Sequence, residues 1–367
     1  MSLFGRLSCK RAYYLCRRCG QGLCPWDQTV GLTARNLTPA VERLTALAGG
    51  ISESFEKGGE LLAEMAGVSL SESTVERTTE EVGGRIEEAL GQGRTFGPAQ
   101  DWCWHPDAKG RLVAYVSHDA TGVRQQAAGG GCAEGRMVNV GMIYNPPPGE
   151  HVAVDPDKPR PRLQARYVAG LYTLAEMGPL LRRQGGQVGM NRADLWIALT
   201  DGGNGLEDFI VRNFPLVAVV ILDFWHAAEY LADLARAVHP EDEEAASALR
   251  GEWCRLLKEE GGAVTLAVLR EWEWPSRKLA VRAQLAKVEQ YFENHLHRMA
   301  YPEYVAEGWQ IGSGPVESAC KTVVGQRLKL AGMRWGEEGT HAVCQVRALY
   351  RSEKGQWSAF WERDYAN

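Results

Sequence analysis

Three acids stand where the pattern of the chain turns permissive, and their types and positions suggest metal-assisted phosphate chemistry. Asp119 closes the apolar stretch "RLVAYVSHD" and Asp201 closes "DLWIALTD" just before two glycines. Glu317 sits in "GSGPVESACKTVVGQRLK", a Gly/Pro corner that runs into a helical pattern carrying Lys321, Arg327 and Lys329. Carboxylates at strand ends suit hard cations such as Mg²⁺, which keep several waters and bridge to phosphate oxygens. Two such ions can activate an attacking oxygen and stabilise the leaving oxygen of a phosphodiester. The cations after Glu317 would then meet a nucleic-acid backbone. Each acid also has a plain structural role: Asp favours turns, and Glu favours the first turn of a helix.

The elements that must position these acids follow from periodicity. "RLVAYVSHD" and "RMVNVGMIYN" read as strands joined by the turn "GGGCAEG", and "RLQARYVAGLY" reads as a third. Next come a helix in "TLAEMGPLLRRQG", a strand in "DLWIALT", a helix in "GLEDFIVRNF" and a strand in "PLVAVVILDFWH". An antiparallel meander followed by alternating units predicts a mixed sheet covered by helices, an α+β fold. Strands one and four of that order can lie side by side, which would bring Asp119 and Asp201 together. Residues 227–311 read as helical and contain Trp253, Trp272 and Trp274, which are expected in the core.

Upstream, residues 36–98 carry three helical patterns with a short "GVS" turn between the last two. That arrangement fits a helix-turn-helix, and equally a small helical bundle with no DNA contact. Residues 1–35 are basic and rich in cysteine around "CRRCGQGLCPWD". A second basic stretch holds Lys158, Arg160, Arg162 and Arg166.

The bulk composition sets outer bounds. The 367 residues are 45% hydrophobic, enough for two or three domains with a sizeable core. A net charge of −5 does not itself mark a nucleic-acid protein, so any such contact must come from local charge. Nine irregularly spaced cysteines in a chain this long point to a reducing compartment rather than a disulfide scaffold. With no signal-peptide pattern and no span-length apolar run, a cytoplasmic, nucleoid-associated location is expected.

Six stretches together resemble bacterial insertion-sequence transposases of the ISKra type: "RAYYLCRRCGQGLCPWD", "LSESTVERTTEEVG", "SHDATGV", "ALTDGGNGL", "FPLVAVVILDFWHAAEYL" and "GSGPVESACKTVVGQRLKLAGMRW". The likeness spans nearly the whole chain. Asp223 and His226 resemble the Asp-x-x-His element of Mutator-like and hAT-like transposases. The resemblance implies a ribonuclease-H-like core at 105–226 and 312–367, interrupted by a helical insertion at 227–311. It also implies a DDE triad of Asp119, Asp201 and Glu317, with Asp223 and His226 supporting the site and Lys321, Arg327, Lys329 and Arg334 along DNA. The implied cofactor is Mg²⁺ or Mn²⁺, as two ions. The implied partners are double-stranded DNA and a second copy of the chain, as a homodimer or larger assembly.

A neutral His226 is expected to donate a hydrogen bond near the site; its alternative is a satisfied histidine at a helix start. Cys16 and Cys19 form a zinc half-site to which Cys24 or Cys9 would add ligands. Related chains carry a further cysteine pair upstream, so an incomplete zinc ribbon is expected here, with exposed thiols in a basic arm as its alternative. Ala120 follows the first acid where the family usually has glycine. Two other functions therefore stand beside the transposase: a non-catalytic DNA-binding relic or repressor, and a nuclease that cuts without joining.

Overall fold

The computed structural model of the chain describes residues 1–97, 99, 101–127, 129, 131–149, 152, 157, 159, 161–272, 279–353 and 355–364. Lys158, Arg160 and Trp274 lie outside them.

The central sheet forms because two kinds of apolar pattern meet. β4 (Leu112–Gln126), β5 (Cys132–Asn145) and β6 (Gln164–Gly170) make an antiparallel meander. β7 (Leu195–Thr200) and β8 (Val217–Leu222) are short apolar runs that pair in parallel, β7 on β4 and β8 on β7. The spatial order is β6-β5-β4-β7-β8, with β3 (His105–Pro106) also on β4. Side chains alternate along β4, so one face packs on one layer and its neighbours on the other. Ala114, Val116, Ile143 and Ala198 meet α5 (Leu174–Gln187) and α6 (Leu206–Asn213) through Met177, Leu181, Phe209 and Ile210. Val113, Tyr115, Val140 and Leu199 meet the helices of the opposite layer. α5 starts where the sequence signals it, with a reciprocal capping box between Thr173 and Glu176.

The opposite layer holds α7 (Phe224–Val238), a helical stretch from Gly314 to Leu328, and α13 (Glu337–Arg351). That stretch is α11 (Gly314–Ala319), a π-helical segment at Cys320–Gly325, and α12 (Gln326–Leu328). The helical segment after α7 contributes α8 (Glu243–Glu271), α9 (Leu279–His295) and α10 (Tyr301–Ala306). Trp253 is fully buried there and Trp272 packs against the same core.

Ahead of the sheet lie a two-strand hairpin, β1 (Tyr14–Leu15) with β2 (Gly22–Leu23), and α1 (Pro25–Thr29). Three mutually packed helices follow, α2 (Pro39–Ile51), α3 (Phe55–Ala66) and α4 (Glu72–Gly91). Ala48, Phe55, Leu62 and Val75 share one buried cluster with the sheet, so this helical unit is fused to the core. The exposed residues of α4 include Glu72, Glu81, Glu87 and Glu88 against Arg77. A mostly acidic face gives little electrostatic attraction for phosphates. Among the described residues, no helix is long and apolar enough to cross a membrane.

Two expectations are corrected here. Asp119 does not end its strand: β4 continues to Gln126, because Thr121 and Val123 keep pairing with Val138 and Arg136 of β5. The stretch from Cys132 to Gly135, read as turn, is already part of β5.

The crossing of α4 on α13 depends on one glycine. A Cβ at Gly83 would lie 2.3 Å from the Ala342 carbonyl oxygen, while one at Gly84 would meet nothing within 4 Å. Gly83→Ala should therefore cost about 2 kcal/mol through overpacking. Gly84→Ala should stabilise by about 0.5 kcal/mol through helix propensity. Urea denaturation of both variants checks this, and equal shifts of the same sign would contradict the packing.

Candidate active site

Asp119 and Asp201 are brought side by side by the parallel pairing of β4 and β7. His118 pairs with Thr200, and each acid is the residue that follows, on neighbouring chains whose strands lie about 4.8 Å apart. Asp201 follows the last residue of β7 and accepts from the Gly203 N–H at 2.8 Å. Asp119 accepts from the Ala120 N–H at 2.7 Å.

Glu317 arrives from the other side. Asp119, Glu317, Lys321 and Lys329 line one open cavity of about 340 Å³, together with Thr121 and Cys320. Lys329 Nζ donates to Thr121 Oγ1 at 2.8 Å, and the Ser313 hydroxyl donates to Glu317 Oε1. Burial is the main cause that pushes the Cys320 thiol up, and Asp119 and Glu317 add to it, so it stays protonated. Asp201 does not line this cavity. Among the described residues, no three His, Cys, Asp or Glu side chains gather closely enough to hold a metal ion. By donor chemistry the three carboxylates still fit a hard cation, since all are oxygen ligands near one end of the sheet.

The Gly/Pro corner is held by Asp223. This carboxylate is fully buried at the start of α7. It accepts from Ser313 N at 2.8 Å, Trp225 N at 3.3 Å and His226 N at 3.2 Å, and it pairs with His226 Nδ1 at 2.6 Å. Next to it, Phe224 N donates to Ile311 O at 2.9 Å. Gly312 permits that approach, because a Cβ there would sit 2.9 Å from Trp225 Nε1. Burial alone would raise the Asp223 carboxyl, but the bonds from His226 and Ser313 hold it below the usual carboxylate range.

His226 is not the neutral donor expected. Its contact with Asp223 pushes it up to about 9, against the opposing effect of burial, and Asp201 adds to the rise. With that rise it carries its proton at neutral pH, paired with Asp223.

Other residues hold the Asp201 end, and sequence reasoning missed them. Arg298 is buried and its Nη2 donates to Thr200 Oγ1 at 2.5 Å, and to the Thr200 and Asp201 carbonyls at 3.3 and 3.4 Å. Tyr301 Oη donates to Leu222 O at 3.0 Å. Both come from the stretch after α9, where nothing in the helical pattern marks them.

Of the four cations expected along DNA, Lys321, Lys329 and Arg334 are exposed. Arg327 is corrected: it is 1% exposed, with its guanidinium 4.5 Å from the Phe55 ring centre and 4.7 Å from that of Trp335. It donates to Gly49 O and Glu53 O, at 3.0 and 3.2 Å, and so joins the helical unit to the core. At about 100° per residue it stands roughly 120° from Lys321 and 160° from Lys329, so helical spacing itself turns it away from the two exposed lysines.

Cys16 and Cys19 share the tip of the β1–β2 hairpin, where Gly20 N donates to Cys16 O at 2.8 Å. N–H bonds from Cys19 and Arg18 hold the Cys16 thiol below its ordinary value. Neither Cys9 nor Cys24 completes a three-ligand group with them among the described residues, so these thiols supply half of a tetrahedral site and do not fit closed zinc ligation.

Compared with models of known protein families and with curated proteins, the chain matches none.

The Asp223–His226 pair carries a pH signature. His226 lies above its ordinary 6.5, so its contribution to stability is complete below about pH 6.5 and fades as pH rises through about 9. Asp223 lies below its ordinary value, so its contribution is present above about pH 4 and fades in stronger acid. Imidazole NMR should show His226 titrating near 9, and near 6.5 in Asp223→Asn. Titration near 6.5 in the unmodified protein would contradict the pairing.

Proposed function

We propose that the chain is a DDE transposase of the ISKra type on a ribonuclease-H-like core, acting on the ends of a DNA element. The observation that supports this best is the placement of three carboxylates. Asp119 and Asp201 each follow the last paired residues of adjacent parallel strands, His118 and Thr200, and Glu317 lines a cavity with Asp119, Lys321 and Lys329. A helix-start acid with a purely local role would have no reason to share a cavity with a strand acid and two lysines.

Asp119, Asp201 and Glu317 would hold Mg²⁺ or Mn²⁺, which when bound supplies Lewis-acid activation of water and stabilises the leaving oxygen. Glu317 would exchange its Ser313 hydroxyl partner for the ion, turning toward the strands. Lys321 and Lys329 would hold the phosphates on either side of the scissile one, and imidazolium His226 would keep the Asp201 end electrostatically balanced. In the first step a water oxygen bonds to phosphorus and the P–O3′ bond breaks. The water's protons pass to solvent and to the freed 3′ oxygen. In the second step that 3′-hydroxyl bonds to a target phosphorus and expels the target's own 3′ oxygen. Each step exchanges one P–O bond for another, so alignment and charge neutralisation are what the protein must provide. Assembly as a dimer or larger complex on DNA belongs to the same proposal.

The test is cleavage of a duplex carrying the gene's flanking ends, with Mg²⁺ or Mn²⁺, by the intact protein and by Glu317→Gln. Metal-dependent nicking should fall by at least about 10³-fold in the variant, as loss of a principal charge-stabilising group does. Nicking without joining identifies a nuclease. DNA binding without cleavage in both proteins identifies a binding-only protein and overturns the proposal.

A further inference from the structure

A second cationic cleft lies on the same face of the sheet as Asp119, at the opposite end. It is an open cavity of about 1150 Å³ between α2, the start of β6 and the junction of α13 with α14 (Gln356–Asp364). Three guanidiniums reach it from three separate segments: Arg43, Arg162 and Arg351. None has a carboxylate partner among the described residues. Arg43 Nη2 donates to Ser358 Oγ at 3.1 Å and Arg351 Nη2 to Gln326 Oε1 at 3.4 Å. Glu353, the one acid in the lining among the described residues, is occupied by Trp102 Nε1 and by Gln164 Nε2. Tyr350 lines the same cleft and is 39% exposed.

We propose that this cleft binds the phosphodiester backbone of DNA flanking the cut site. The inference rests on the transposase reading and assigns it a second contact surface. Guanidiniums with no carboxylate partner among the described residues, set along an open channel, suit a string of phosphates better than one compact anion, because each can take a separate phosphate bidentately. The spacing agrees. Asp119 pairs with Val140 and Val140 with Ala169, whereas the cleft begins at Gln164, opposite Asn145. Five residues along β5 and two strand spacings separate them by roughly 20 Å. That is the length of about six base-pair steps of B-DNA. α13 runs between the two places, from His341 beside Leu171 to Ser352 beside Tyr167. The contact positions DNA and reads no sequence.

The test is the salt dependence of affinity for a fluorescein-labelled duplex, read by anisotropy in EDTA so that nothing is cut. In the variant Arg43→Gln/Arg162→Gln/Arg351→Gln, the slope of log K against log salt should shrink by about 2.7, the loss of three phosphate contacts. Arg162 is exposed, so Arg162→Glu alone should weaken binding several-fold with unchanged thermal unfolding; this decides the matter if the triple variant fails to fold. An unchanged slope in a folded triple variant, or unchanged affinity in Arg162→Glu, overturns the cleft while leaving end cleavage by the intact protein untouched. No DNA binding by the intact protein overturns both.

Discussion

A carboxylate with no solvent exposure organises this protein. Asp223 cannot remain charged in the core unless donors surround it, since an unpaired buried charge is far costlier than any single packing contact. The chain meets that demand from two places 90 residues apart, the first turn of α7 and Ser313. Satisfying Asp223 thus forces the chain leaving the helical segment to dock at the end of β8. Glu317 follows one turn later and lines a cavity with Asp119. Arg298 and Tyr301 do a similar service for the ends of β7 and β8, so the helical segment between α7 and Gly312 braces the candidate site.

The stretch that carries Glu317 is braced from behind as well. Arg347 is buried on α13 and donates to the Val323 and Thr322 carbonyls of the π-helical segment, and to Gly50 O at the end of α2. Arg327 makes the matching contacts to Gly49 and Glu53. Both guanidiniums are lowered to about 10, chiefly by burial, yet remain charged at neutral pH. They bind carbonyls rather than carboxylates, which lets them satisfy backbone groups that π-helical geometry and the helix end leave open. The two guanidiniums therefore tie the helical unit upstream to the stretch that carries Glu317.

Much of this was legible in the residues. The strand and helix order followed from apolar periodicity, and the side-by-side placement of β4 and β7 followed from that order. Asp201 at a strand end and the start of α5 were marked by Gly-Gly and by the Thr173 capping box. What escaped was set by tertiary contacts. Asp119 lies inside a strand because β5 continues to pair beyond it. Arg327 turns inward because Phe55, Trp335 and the Gly49 and Glu53 carbonyls receive it, on a helix face away from Lys321 and Lys329. His226 is charged because Asp223 is buried beside it, and burial of a single acid cannot be read from its neighbours in sequence. The arginines of the second cleft come from segments separated by up to some three hundred positions, so no local pattern could gather them.

The central claim is that Asp119, Asp201 and Glu317 act together on a hard cation. Manganese binding, followed by electron paramagnetic resonance without DNA, tests it most directly. The account predicts saturable Mn²⁺ binding by the intact protein, weakened at least about tenfold by either Asp119→Asn or Asp201→Asn, while Asp208→Asn on the neighbouring helix leaves it unchanged. Equal Mn²⁺ binding in the intact protein and both site variants would contradict it.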